Sequence, residues 1–147
     1  MKKNLLLSLT LVFVITLIGC SKDDDNNSIS SPTIVGKWRT VKFEYYTDGV
    51  LVDTETTVDE NSTCPDYIEF KANGSYVVID NDVNCNSTAN ENGTYVYNGT
   101  TISTTSAGST DISTVITLTN TDLKTDFTET SSGGTVFKNV GYYKKIN

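Results

Sequence analysis

The chain contains no histidine, a single methionine at its first position, one tryptophan, two prolines and three cysteines in 147 residues. Each scarcity closes off some chemistry. Without imidazole there is no histidine general base and no His-ligated metal centre. The Ser- and Thr-rich loops therefore have no histidine to activate a hydroxyl. No two cysteines form a C-x-x-C pair, which removes the usual redox motif. Bases are few as well, with 11 Lys and Arg against 18 Asp and Glu and a net charge of −7. A chain of this balance with no basic stripe is a poor partner for nucleic acid, whose binding draws largely on phosphate neutralisation. Helical patterning is also missing, since no window carries an apolar stripe at the 3.6-residue period.

What is present begins with Lys2 and Lys3 and an apolar run from Leu5 to Ile18, the charged and hydrophobic regions of a secretory signal. At the helical rise fourteen residues reach about 21 Å, short of the roughly 30 Å that a transmembrane helix must span. The run ends in Leu17-Ile18-Gly19-Cys20, followed by Ser21-Lys22-Asp23-Asp24-Asp25. This pattern resembles the signal peptide of a bacterial lipoprotein. The resemblance implies cleavage after residue 19 and acylation of Cys20 by diacylglycerol and a further chain of the palmitate type. Two or more chains are what stable anchoring requires. The acidic residues after Cys20 are similar to the tag that sends some lipoproteins to the outer face of the outer membrane. The expected location is thus the outer membrane, lipid-anchored and exposed at the cell surface. Loss of Lys2 and Lys3 leaves nine bases against eighteen acids, a mature charge of −9. Residues 20–33, acidic and then Asn/Ser-rich, read as a linker.

Residues 34–147 suffice for one domain and one core. Val, Ile, Thr and Tyr dominate, and thirteen threonines fall between Thr100 and Thr135, a composition suited to strands. Asp48-Gly49, Asn73-Gly74 and Asn98-Gly99 each separate two strand-like runs as type I′ hairpin turns would, with Asn120-Thr121 a weaker fourth. The runs fall near 37–47, 50–58, 66–72, 75–80, 93–98, 100–106, 112–119, 122–130 and 136–146. Alternation is clearest in Val41/Phe43/Tyr45, Ile68/Phe70, Tyr95/Tyr97, Ile116/Leu118 and Leu123/Thr125/Phe127, with one face apolar and the other polar. The expected fold is all-β, an antiparallel up-and-down meander of eight or nine strands closed into a barrel; a two-sheet sandwich is the alternative.

With Cys20 acylated, Cys64 and Cys85 remain as an even pair in an oxidising compartment and read as a disulfide. A two-residue turn at Asn73-Gly74 would place them within two positions of direct opposition, at the open end of one hairpin. Such a bridge is worth about 3 kcal/mol.

Gly36-Lys37-Trp38 opens the first strand. Together with Phe70-Lys71-Ala72-Asn73-Gly74-Ser75-Tyr76 and Gly93-Thr94-Tyr95, it resembles the lipocalin-like domains of small bacterial lipoproteins. The resemblance implies that Trp38 packs across the closed end of the barrel beneath a basic residue of the last strand, Lys144 or its neighbour Lys145. By analogy with lipocalins, it also implies a small apolar or amphipathic ligand in the barrel mouth. Phe43, Tyr45, Phe70, Tyr95, Tyr97 and Tyr142 are the residues expected to face such a ligand. They would equally serve to fill the core, because eight strands leave an interior barely wider than its own side chains, and the short strands favour filling.

Asp80, Asp82, Asn84 and Glu91 occupy positions 1, 3, 5 and 12 of an EF-hand loop, but Cys85 stands where the glycine should be and no helix flanks the stretch. A solvated loop is preferred to a calcium site, and no cofactor or metal is expected. Glu44, Glu69 and Glu129 are candidates for a glycosidase pair by type alone and lie on the polar phase of their strands. The expectation is therefore a non-enzymatic monomer, held to the membrane by its lipid. Its barrel either binds a small ligand or is filled and meets a protein or glycan partner through its loops.

Overall fold

The computed structural model describes residues 31–59 and 61–147. The signal segment, Cys20 and the linker as far as Ser30 lie outside the described residues. Nine strands follow one another: β1 (Gly36–Thr47), β2 (Val50–Thr56), β3 (Tyr67–Phe70), β4 (Ser75–Asn81), β5 (Ser87–Tyr97), β6 (Thr101–Ser106), β7 (Ser109–Leu118), β8 (Asp122–Thr130) and β9 (Val136–Ile146). Every neighbouring pair from β3 to β9 is antiparallel, and β9 returns to pair with β1 from Lys37–Ile146 to Thr47–Phe137. That pairing closes an eight-stranded barrel and sets the sandwich aside. Strand β2 is the ninth, outside the closed ring.

One edge of β1 serves β9 along its whole length, while the other is divided. Gly36–Trp38 pair with β3, and Lys42–Thr47 pair with β2. The barrel wall is thus forked beside Thr40. A bulge between Thr40 and Lys42 shifts the inward phase of β1, so that Trp38 and Thr40 face the lumen below it and Phe43 and Tyr45 above it. Val41, expected on the inner face, instead borders an outer depression with Lys124 and Tyr142.

The turns follow local chemistry with two corrections. Asp48-Gly49 takes the expected form, with both residues at positive φ, and the unforeseen Ala107-Gly108 turn does the same. Asn73-Gly74 is not a two-residue turn. Lys71 N–H donates to Ser75 O at 2.9 Å and Gly74 N–H to Lys71 O at 3.0 Å, making a three-residue loop with Gly74 at φ 81°. At Asn98-Gly99 the turn residues are Gly99 and Thr100, and the Asn98 side-chain oxygen accepts from the amides of Thr100 and Thr101. Strand β5 also begins six residues earlier than expected. Its polar start, Ser87–Asn92, has little strand preference of its own and is held extended by pairing with β4.

Cys64 and Cys85 are bridged, with their Cα atoms 5.6 Å apart. Cys85 stands at φ 63° in the loop between β4 and β5, the position a glycine would usually take. The Asp82 carboxylate supports that loop, accepting from the amides of Asn84 at 2.8 Å and Asn86 at 2.9 Å.

The buried core lies at one end. Ile34, Trp38, Phe70, Tyr76, Ile102 and Leu123 form a single cluster there, and Trp38 is wholly enclosed. Above them the lumen is open.

Candidate functional site

The closed end is built first. The indole N–H of Trp38 donates to Ile34 O at 2.7 Å, and the Lys145 ammonium lies 5.0 Å from the ring centroid. The basic residue over Trp38 is therefore Lys145; Lys144, one position earlier, points to the opposite face and pairs with Asp122. Period-two alternation forces this choice, since only the phase shared by Tyr143 reaches the lumen. Gly36 is required here. It sits at φ 131°, and a methyl group on it would come within 2.7 Å of the Lys145 side chain that crosses it.

On this floor rests a chamber centred on Tyr143. Its lowest part, about 140 Å³, is bounded by Ile68, Phe70, Ile102 and Leu123, with Ser113 and Thr125. The mouth, about 440 Å³, is walled by Phe43, Tyr45, Phe127 and Tyr143, with Asp111 and Asn139 at its edge. A third space of about 310 Å³ opens sideways through the fork in β1, past Thr40, Tyr67 and the carboxylates of Asp66 and Asp80. Tyr143 borders all three. Its ring lies back over Gly141, where a side chain would collide with the phenol. Burial pushes the Tyr143 phenol above its ordinary pKa, with Thr125 opposing the shift.

The rings around the chamber are held at fixed angles. Phe43 stands 6.3 Å from Tyr45 and tilted, and 6.2 Å from Tyr143 edge to face. Tyr45 donates its hydroxyl to Glu55 at 2.9 Å, which raises the phenol pKa and ties the mouth to β2. Phe70 belongs to the floor. Tyr95 packs edge to face on it at 4.8 Å and donates to Lys71 O, and Tyr97 packs on the core and donates to Gly99 O. These three fill the lower barrel. Phe43 and Tyr45 face the upper chamber. The expected filling is thus true of one half of the lumen and not of the other.

Tyr142 does not face the lumen. It stands on the outer wall between the ammonium groups of Lys42 and Lys124, at 4.4 and 4.6 Å, and donates to Glu44 at 2.7 Å. Glu44 also accepts from Lys42 at 2.6 Å and Tyr46 at 2.9 Å. The Lys42 contact above all, then the two phenols, hold its carboxyl down at a pKa of about 2. That is the reverse of what a general acid needs. Tyr143 occupies the place expected for Tyr142, because in the adjacent pair only one ring can point inward.

The calcium candidates do not converge. Asp82 is used within its loop, and its carboxyl pKa is lowered by the contacts from Asn86 and Asn84. Asp80 borders the sideways opening, and Glu91 lies on β5 and accepts from the Tyr76 hydroxyl. Burial, then Glu91, pushes the Tyr76 phenol up to about 12. Among the described residues no three acidic or cysteine side chains gather as a metal site would require.

Sequence reasoning missed Tyr143, Asp111 and Ser113 as chamber residues. Thr125 and Phe127 were visible as an alternating pair, but nothing local marked the level at which they meet the lumen.

A closed antiparallel eight-stranded barrel, stopped at one end by tryptophan and lysine and hollow at the other, is the architecture of a small cup. Residues 34–125 match the family model described as a lipocalin-like domain, and the chain belongs to that family. No curated protein matches its sequence. Among solved structures, lobster apocrustacyanin A1 aligns over 76% of this chain and 60% of its own, with a TM-score of 0.49 and 11% identity. This chain thus covers less than two thirds of that protein. Bovine odorant-binding protein complexed with its natural ligand aligns over 76% of this chain and 70% of its own, with a TM-score of 0.40 and 13% identity.

Proposed function

We propose that this protein is a membrane-anchored lipoprotein that holds a small apolar or amphipathic molecule in its barrel, without catalysis. The observation that carries the reading is the chamber around Tyr143, whose mouth of about 440 Å³ is walled by aromatic side chains above a packed apolar floor. A volume of a few hundred Å³ with apolar walls and a few polar groups is what a small-molecule site offers. Ser113, Thr125 and Asn139 supply neutral polar contacts to orient a bound molecule. The anchor is the acylated Cys20 inferred from the lipoprotein-like signal, with the protein held at the outer membrane and facing outward.

Uptake of the environment-sensitive probe 1-anilinonaphthalene tests the chamber. The expected result is saturable binding with one probe per protein, abolished when Ser113→Trp fills the space beneath the mouth. No uptake by the unaltered protein, together with no small molecule retained in native mass spectra after purification from its host, overturns the reading. A second reading is favoured by β2, whose outer edge is unpaired and whose Val50, Leu51 and Val52 are 50–65% exposed. It is an accessory module that meets a protein or glycan partner, and it gains if the chamber stays empty.

A further inference from the structure

Resting on the reading of the lumen as a binding chamber, we propose that its preferred occupant is an organic cation, a substituted ammonium group carrying a short apolar tail. Three observations point the same way. First, the mouth is walled by aromatic side chains, and Phe43 stands tilted to Tyr45 and edge-on to Tyr143 at centroid distances of 6.3 and 6.2 Å. Rings set at different inclinations around one space offer several negative faces to a cation that would lose its water on entering. Second, among the described residues the only ionisable groups bordering the three spaces that share Tyr143, phenols apart, are carboxylates: Asp111 at the mouth, and Asp66 and Asp80 at the sideways opening.

Third, among the described residues no lysine or arginine lines the three spaces, although Lys37 stands 5.1 Å over the Tyr67 ring beside the sideways opening. The five ion pairs engage Asp59, Glu44, Glu69, Asp126 and Asp122, which leaves Asp111 without one among the described residues. The lysines of the adjoining strands are turned outward. Lys42 and Lys124 enclose Tyr142, and Lys138 pairs with Asp126 at 3.1 Å. A carboxylate or phosphate ligand would find no guanidinium or ammonium to receive it and would meet like charge at both openings. An ammonium head would sit between the ring faces and Asp111, with its tail directed at Ile68, Phe70 and Leu123 below.

Calorimetric titration with decyltrimethylammonium, decanoate and decanol, all below their aggregation concentrations, separates the possibilities. The expected result is that the cation binds about tenfold or more tightly than decanoate, with decanol between them. Asp111→Asn, an exposed substitution, is expected to lower the preference for the cation over decanol by about threefold or more, with the melting temperature unchanged. Tyr45→Leu keeps an apolar wall and removes a ring face, so it should weaken the cation more than decanol. Equal or tighter binding of decanoate overturns the charge preference while leaving a ligand-binding chamber in place. A preference that survives Asp111→Asn intact, or a loss common to all three ligands, overturns the counter-ion role of Asp111. Binding of none of the three overturns both this inference and the binding reading beneath it.

Discussion

At the scale of single residues, the outer wall and the inner seams make opposite demands. Glu44 gathers an ammonium and two phenols on the outside of the barrel, and its pKa falls from the usual 4.5 to about 2. A carboxyl whose folded-state pKa lies below its unfolded value stabilises the fold at every pH above the unfolded value. That contribution is lost as the pH falls through the folded one. The Glu44→Gln variant should therefore show a flatter dependence of unfolding free energy on pH between about 4.5 and 2, as read by urea denaturation at stepped pH. Identical profiles for the two proteins would remove Glu44 as a contributor. At Gly93 the constraint is space. An added methyl would overlap the carbonyl oxygen of Thr105 on the neighbouring strand and press on the Tyr76 ring. Since the obstacle is backbone, β5 and β6 would have to part, and Gly93→Ala should cost about 3 kcal/mol, the upper range for overpacking. Gly49→Ala provides the contrast. Nothing lies within 4 Å of an added methyl there, and only the φ of 80° objects, so its cost should be about 1 kcal/mol. Thermal melts of the two variants settle the order.

At the scale of elements, the strands differ in how firmly they are held. Strand β9 is paired on both edges, with β1 and β8. Strand β2 pairs with β1 alone, and all seven of its residues are exposed. Local opening free energy tracks burial and pairing, so β2 should open without the barrel. Native-state hydrogen exchange is expected to find the β2 amides exchanging at least about a hundredfold faster than those of β9. Equal protection would mean that β2 opens only with the whole barrel. The disulfide addresses the corresponding weakness on the next hairpin. It ties the loop before β3 to the loop after β4 across 21 residues, a closure worth about 3 kcal/mol by loop entropy. Strand β3, only four residues long, needs that support because it carries the floor residues Ile68 and Phe70.

At the scale of the whole molecule, charge and anchoring bear on what reaches the chamber. With eighteen acids and few bases, the chain carries a negative field that favours cations at the mouth and disfavours anions. The proposed lipid on Cys20 has its own check. Cells supplied with radiolabelled palmitate should label this chain, and Cys20→Ser should abolish both the label and the membrane fraction. An unlabelled chain overturns the anchor while leaving the barrel and its chamber untouched.

Much of this protein was legible from its order of residues alone. All nine strand runs follow from short-range rules, since alternation sets a strand and a turn residue breaks it, and the pairing of Cys64 with Cys85 follows from their near opposition across one hairpin; the Gly36–Trp38 end stop came only from the resemblance to lipocalin-like domains. The hollow half of the lumen did not follow. Whether Tyr142 or Tyr143 turns inward, whether Lys144 or Lys145 covers Trp38, and where the wall forks all depend on register and on the bulge at Thr40–Lys42. A single inserted residue reverses every face beyond it, at a cost too small to leave a mark in composition. Register is decided by partners far away along the chain, so the strands could be read locally while the chamber they enclose belongs to the closed barrel.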